Sequence, residues 1–453
     1  MAPGTQNGTE KPHLDEKEED KPFLDDKKVG LDAPKDKYNA VYLIMLLHGI
    51  GCLMPWNMFI TIAPSYFVGY KMMENVNGTL TPTPYSLNFF SYLGIFSQLP
   101  NLALNFLNIF VRLRGGLAPR IAISLIIVGV VCVFTMMMIF VDSANWVFGF
   151  FVITMISVAI LNGANGVYQN SIYGVVAAFP PSFTNAIILG NNLCGTFVTL
   201  ISILTLIFSK DTQWAAFFYF SIALLTIVAC FISFFMLNRF EFYNYYTQKS
   251  QCEKGEEENE AEEEVISVQR YTEVFKQGKM QMYNVFCVFF VTLTIFPAIM
   301  ADIKLYRPDG DYDFFIPADL FSAVTCFLLF NVFATIGSTI ANFVQWPNPQ
   351  TLWIPVSLRL LLIPAFMFCN YRPANRSWPV YIENEWIFIL LGILMSVTSG
   401  YFSSLAMMYA PRVVNAKNSR IAGMMAAFFL ILGICCGIVN TFFIAYFIDN
   451  LGQ

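Results

Sequence analysis

The chain of 453 residues is 56% hydrophobic, 16% aromatic and only 13% charged, with a net charge of −5. Soluble domains carry about 25% charged residues, so this composition, with its positive mean hydropathy, excludes a soluble globular enzyme. The absence of a basic surplus gives no foothold for nucleic acid as a partner.

In chain order, residues 1–37 form a polar tail with a rough repeat, KPHLDEK at Lys11 and KPFLDDK at Lys21. It has too little apolar surface to fold and shows no cleavable signal peptide. Beyond it, no Asp, Glu, Lys or Arg occurs in 38–70, 75–111, 121–141, 143–209, 212–238, 280–301, 320–358, 386–411 or 421–448. A membrane-spanning helix needs about 20 apolar residues, so most of these runs hold one helix. The run 143–209 holds two, split at the FPPSF turn, Phe179 to Phe183. The run 320–358 reaches into a second helix, split at WPNP, Trp346 to Pro349, and continuing to about Asn370. The reading is an all-α polytopic membrane protein of eleven transmembrane helices in 6+5 halves. An N-terminal six-helix half covers 38–238 and a C-terminal five-helix half covers 283–453. Between them, 239–282 is an acidic loop carrying EKGEEENEAEEE, Glu253 to Glu264.

Span 1 places His48, Leu53, Pro55, Trp56 and Asn57 inside an apolar run. Each half is expected to open with a proline-broken helix, at Pro55 and at Pro297 of span 7. Broken helices at matching places in two halves point to a midplane site. Asn57 is expected to satisfy backbone groups that Pro55 releases. His48, Cys52 and Trp56 recur at i, i+4 and i+8, on one helical face. A free imidazole titrates at about 6.5, and ionisable residues inside spans are functional candidates, so His48 is a candidate pH modulator. Asn77-Gly78-Thr79, in the first outer loop, is a candidate glycosylation acceptor. Asn375-Arg376-Ser377 is a weaker one, close to the membrane.

Span 2 carries Gln98 and Pro100. Span 4 carries the clearest polar stripe, where Asn162, Asn165 and Gln169 of ILNGANGVYQNSIYG fall at i, i+3 and i+7. Three amides on one face either bond other helices or line a path for an uncharged polar solute, since an amide both donates and accepts. Asn191 and Asn192 in span 5 and Asn331 in span 8 are further amides at membrane depth. Pro364 is expected to kink span 9, and Gly433 and Gly437 of span 11 form a GxxxG suited to helix packing.

Orientation follows the Lys/Arg bias of the loops. With the N-terminus cytosolic, nineteen Lys and Arg lie inside and six outside, Arg359 being within a span. The C-terminus is then extracellular. The ten cysteines lie almost all in apolar spans and suggest no disulfide framework. No nucleophile, metal-ligand cluster or GxxxxGK[ST] loop appears, so neither an enzyme nor a cofactor or metal is indicated. The lipid bilayer is the evident partner, with no obligate protein partner.

LMPWNMF at Leu53, the Asn162 and Gln169 pattern, LNRFEFYNYY at Leu237, RLLLIP at Arg359, SGY at Ser399 and AGMMAAFF at Ala422 together resemble the equilibrative nucleoside transporter family, from about Tyr38 to Ile448. The resemblance implies an eleven-helix fold related to the major facilitator architecture, with a central cavity between the halves. It implies that Trp56, beside Leu53, is an aromatic wall, that Gln169 hydrogen-bonds the nucleoside, that Asn331 contributes from span 8, and that Ile434 is an apolar cavity position. Gln98 and Asn165 join this substrate-binding set; Asn165 stands where family members show Gly or Ser. Where the family shows FNxxDxxGR, this chain has FNVFATIGS, with Ala334 and Ser338 replacing an Asp and an Arg. Both charges are gone together, as expected for an ion pair whose single loss would strand a buried charge.

The function expected is facilitated transport of nucleosides by alternating access, at the plasma membrane. The alternatives are transport of nucleobases or organic amines, and a non-transporting sensor on the same scaffold.

Overall fold

The computed structural model describes residues 34–76, 79–87, 89–110, 116–208, 212–258, 268–307, 313–373 and 376–450. The glycosylation candidates Asn77 and Asn375 lie outside them. The Asp36 carboxylate accepts the backbone N–H groups of Val41 (3.1 Å) and Tyr42 (3.0 Å), satisfying orphan donors at the start of helix α1, Ala40–Ile62. A π-helical stretch, Ala63–Lys71, leads into a hairpin of β1 (Met73–Val76) and β2 (Thr79–Pro82), with Met73 opposite Pro82 and Val76 opposite Thr79.

The helices that follow are α2 (Phe89–Phe110), α3 (Ala118–Ile139), α4 (Val147–Val176), α5 (Pro181–Phe208) and α6 (Thr212–Met236). Pro181 opens α5, where a missing N–H costs nothing, and this splits the long apolar run at the expected turn. After a linker helix, Glu241–Glu258, come α7 (Val268–Ile295), α8 (Leu329–Phe343), α9 (Trp353–Met367), α10 (Glu385–Tyr409) and α11 (Ser419–Asn450). The expected loop 239–282 is thus helical at both ends. Phe242 and Tyr246 anchor its start, Phe242 stacking on Phe183 of the FPPSF turn at 4.9 Å.

Among the described residues, nine helices are long and apolar enough to cross a membrane. The eleven expected would also require α2, which is 22 residues long and rich in amides, and the shorter apolar α9. Large apolar side chains such as Val130, Leu225, Leu390 and Phe443 stand exposed on the outer faces, more than a water-facing surface tolerates.

The two prolines behave differently. Pro297 ends α7, and a separate helix, Ala298–Asp302, begins after it. Pro55 stays inside a continuous α1, so the expectation of a broken first helix is corrected. Glycines bring α1 against α5: a Cβ on Gly49 would meet the Ile187 carbonyl and one on Gly190 the Leu46 carbonyl. That close contact packs α1 on α5 in the turns before Pro55. Asn57 bonds no α1 backbone; its amide points across to Cys194 of α5 at 3.6 Å. In α9, Pro364 leaves the Leu360 carbonyl without its helical donor, and Arg359–Leu361 tightens into a 3-10 turn.

The same pairing recurs in both halves. α1 packs on α5 and α2 on α4; α7 packs on α11 and α8 on α10. The GxxxG of α11 serves this packing, a Cβ on Gly433 or Gly437 falling 2.6 Å from the carbonyl of Phe286 or Phe290 in α7. The halves meet where α4 and α2 face α11, and where α5 faces α8 and α10.

Candidate functional site

The polar stripe lies on α4, a helix that meets α11 at the seam. Gln169 is 4% exposed, yet its amide has no hydrogen-bond partner among the described residues. Asn165, one turn earlier and 4% exposed, leaves its Oδ1 unpaired. Asn162 turns back on its own helix, donating to the Val158 carbonyl at 2.9 Å. The buried, unpartnered Asn165 Oδ1 costs about 1–3 kcal/mol, a cost that a hydrogen-bonding ligand removes.

On α1, Leu53 and Trp56 are half-buried, and the Trp56 indole N–H has no protein partner among the described residues. Gln98 of α2 and Ile434 of α11 are also half-buried. Their helices touch where the Cys435 thiol points at the Gln98 carbonyl, 4.0 Å away. Asn331 donates to the Phe327 carbonyl of its own helix at 2.9 Å and fills the space above Gly195 of α5. Its side chain thus lies at the α5–α8 contact, with little of it exposed.

His48 lies elsewhere. It is fully buried among α1, α4 and α6, its Nδ1 2.6 Å from the Tyr168 hydroxyl and its ring edge-on to Phe234. No Asp or Glu is among its partners, and Nε2 is unpaired.

Ala334 and Ser338 occupy a close crossing. Ala334 is buried against Gly400, whose added Cβ would strike the Ala334 carbonyl. The Ser338 hydroxyl accepts from Asn192 of α5 at 2.7 Å and donates to the Gly400 carbonyl at 3.3 Å. Small residues fill this junction and leave no room for an ion pair. Arg359, in α9, is buried within the second half. It donates to Thr398 Oγ1 (3.1 Å), the Val288 carbonyl (3.0 Å), Thr292 Oγ1 (2.9 Å) and the Met395 carbonyl (3.3 Å). The candidate site is therefore lined by neutral groups. Among the described residues, no group of three His, Cys, Asp or Glu could hold a metal.

Sequence reasoning missed a second set of amides. Asn170, next to Gln169, donates to Asn105 Oδ1 (3.0 Å) on α2 and to the Met424 carbonyl (2.9 Å) on α11. Asn108 donates to Asn170 Oδ1 at 2.8 Å and accepts from Arg120 at 2.9 Å. Its signal was available: Asn101, Asn105 and Asn108 recur at i, i+4 and i+7. Asn185 donates to the Ser338 carbonyl at 2.7 Å, Asn342 to the Tyr42 hydroxyl at 3.4 Å and Tyr271 to the Ile109 carbonyl at 2.9 Å. The bonds of Asn170 to Met424, Asn185 to Ser338, Asn342 to Tyr42 and Tyr271 to Ile109 join the halves at the end that carries the N-terminus. At the other end, the polar ties stay within one half: Lys71 to the Val141 carbonyl, Arg307 to Asp313 and Glu385, Arg372 to Asp449. Asp313 and then Glu385 hold the Arg307 guanidinium above its ordinary range. The molecule is shut at the N-terminal end of the bundle.

The family profile described as Nucleoside transporter matches residues 155–446. Equilibrative nucleoside transporter 1 of Homo sapiens is 30% identical over 454 residues, covering 90% of this chain and 97% of that protein. Equilibrative nucleoside transporter 2 of Rattus norvegicus is 31% identical over 455 residues, covering 91% and 98%. The chain belongs to the equilibrative nucleoside transporter family. For this family member the fold likeness extends to solved major facilitator structures. The proton:xylose symporter XylE superposes with a TM-score of 0.59 at 12% identity, over 91% of each chain. The human organic anion transporter MFSD10 gives 0.55 at 12% identity, over 92% of this chain and 96% of its own. These place the transporter's helices in the major facilitator architecture.

Proposed function

We propose that the protein is a facilitative carrier of nucleosides, working by alternating access around Gln169 and Trp56. The observation that carries this is the Gln169 amide, buried and unpartnered in the seam between the halves, in a chain of this family. A nucleoside supplies what the site lacks: a flat base for the Trp56 ring and a hydrogen-bonding edge for Gln169 and Asn165. The neutral lining suits an uncharged solute, and transport would follow the concentration gradient. Gln98, Asn331, Leu53 and Ile434 complete the wall, and His48 supports it from inside the first half. The loop charges favour a cytosolic N-terminus and an extracellular C-terminus in the plasma membrane. The shut end then faces the cytosol.

Purified protein in liposomes should take up labelled nucleoside saturably. Gln169→Ala should raise the half-saturation concentration by about tenfold, since losing one partner of a buried hydrogen bond costs about 1–3 kcal/mol. Unchanged kinetics would remove Gln169 from the site. Competition by nucleobases or organic amines, but not nucleosides, would favour that alternative solute class; no uptake of any of them would favour a sensor.

A further inference from the structure

The structure assigns the Tyr173 hydroxyl and the Asn191 side-chain carbonyl to a second polar station on the solute path. It lies one helical turn nearer the shut end than Gln169 and takes the hydrogen-bonding groups of a nucleoside as the halves rock. This inference rests on the carrier reading above and adds a binding point that the Gln169 site does not contain.

Tyr173 follows Gln169 by four residues, so Asn165, Gln169 and Tyr173 share one face of α4. Tyr173 is 1% exposed, and its hydroxyl makes no hydrogen bond. Asn191 of α5 leaves its Oδ1 equally unpaired. The two side chains adjoin, the Asn191 amide approaching the Tyr173 oxygen without closing a bond of ordinary geometry. Buried polar groups are nearly always paired, and a pair of neighbours left open points to a transient partner.

Their place in the bundle says what that partner is. Asn191 shares its stripe on α5 with Gly195, four residues on, which abuts Asn331 of α8. Asn191 therefore lies along the seam, and the next residue, Asn192, already bonds Ser338 across it. The Tyr173 carbonyl is where Gly423 of α11 rests, a Cβ there falling 2.9 Å from it. Gln169 thus stands above the pair, the Asn170–Met424 contact lies between them, and Gly423 packs at the level of Tyr173. When those contacts part, α11 leaves Tyr173 and the pair faces the opening. A phenol that donates and an amide oxygen that accepts match the mixed donors and acceptors of a base edge or a ribose.

The test uses the full chain in proteoliposomes with uridine as the probe. Tyr173→Phe keeps the ring and removes only the hydroxyl, so packing is preserved. Its maximal uptake rate should fall about five- to tenfold, with the half-saturation concentration within about twofold of wild type, because the open site around Gln169 is untouched. Maximal rates are normalised to the amount of folded carrier, since a loss of folded protein would lower the maximal rate alone. Asn191→Cys should react with a membrane-impermeant thiol reagent applied from the N-terminal side, above the wild-type background. Saturating uridine should slow that reaction about fivefold or more. A wild-type maximal rate in Tyr173→Phe, or labelling of Asn191→Cys that uridine does not slow, would overturn the second station. A wild type that takes up no uridine would instead overturn the carrier reading on which it rests.

Discussion

Trp56 is half-buried on α1, and on the proposed reading it offers a solute the flat face of its ring. Base–aromatic stacking is worth about 1–3 kcal/mol. Trp56→Ala should raise the half-saturation concentration about tenfold, and Trp56→Phe by much less. Equal damage from both changes, read from the concentration dependence of uptake, would mean that the indole N–H or volume matters and stacking does not. His48 makes a contrasting case. Its ring is tied to Tyr168 and packed on Phe234 inside the first half, so its loss should be felt in the fold. His48→Gln should melt earlier than wild type in detergent. Uptake between about pH 5 and 8, normalised to the amount of protein, should have the same shape in both. A pH profile that changes with His48→Gln would restore it as a pH modulator.

At the scale of helices, the α8–α10 crossing is set by glycines. A Cβ on Gly337 would strike the Val397 carbonyl, and one on Gly400 the Ala334 carbonyl. Restoring the charges by Ala334→Asp with Ser338→Arg should therefore overfill the junction and break the Asn192–Ser338 bond, at a cost of about 1–3 kcal/mol. A lower midpoint of thermal unfolding would show this; a double variant as stable as wild type would mean that the junction has room for an ion pair. The helices themselves were readable because charge-free runs and the Pro180–Pro181 and Trp346–Pro347 breaks are local signals. Asn162, Asn165 and Gln169 were readable for the same reason, as polar residues at helical spacing in apolar surroundings. What each amide does was not, because that depends on a partner from another helix: Asn162 turns to Val158, Asn170 reaches Met424, and Gln169 finds none. Pro55 and Pro297 look alike in sequence, yet α1 continues past the first and α7 ends at the second.

For the molecule as a whole, two halves with matching helix pairs meet along α4–α11, α2–α11 and α5–α8. Their polar ties gather at the N-terminal end, leaving the opposite ends of the halves joined by no such ties among the described residues. In the proposed cycle, carrying a solute past Gln169 and Trp56 requires the Asn170–Met424 and Asn185–Ser338 bonds to be exchanged for others. The most direct test of such alternation is counterflow. Proteoliposomes are loaded with a high concentration of unlabelled uridine and diluted into a trace of labelled uridine, with no ATP and no pH gradient. An alternating site returns inward carrying label each time it delivers unlabelled solute outward. Labelled uridine should therefore rise transiently above its outside concentration and then decay to equality, and Gln169→Ala should blunt the overshoot. Label that only climbs to equality, or does not enter at all, would contradict the account.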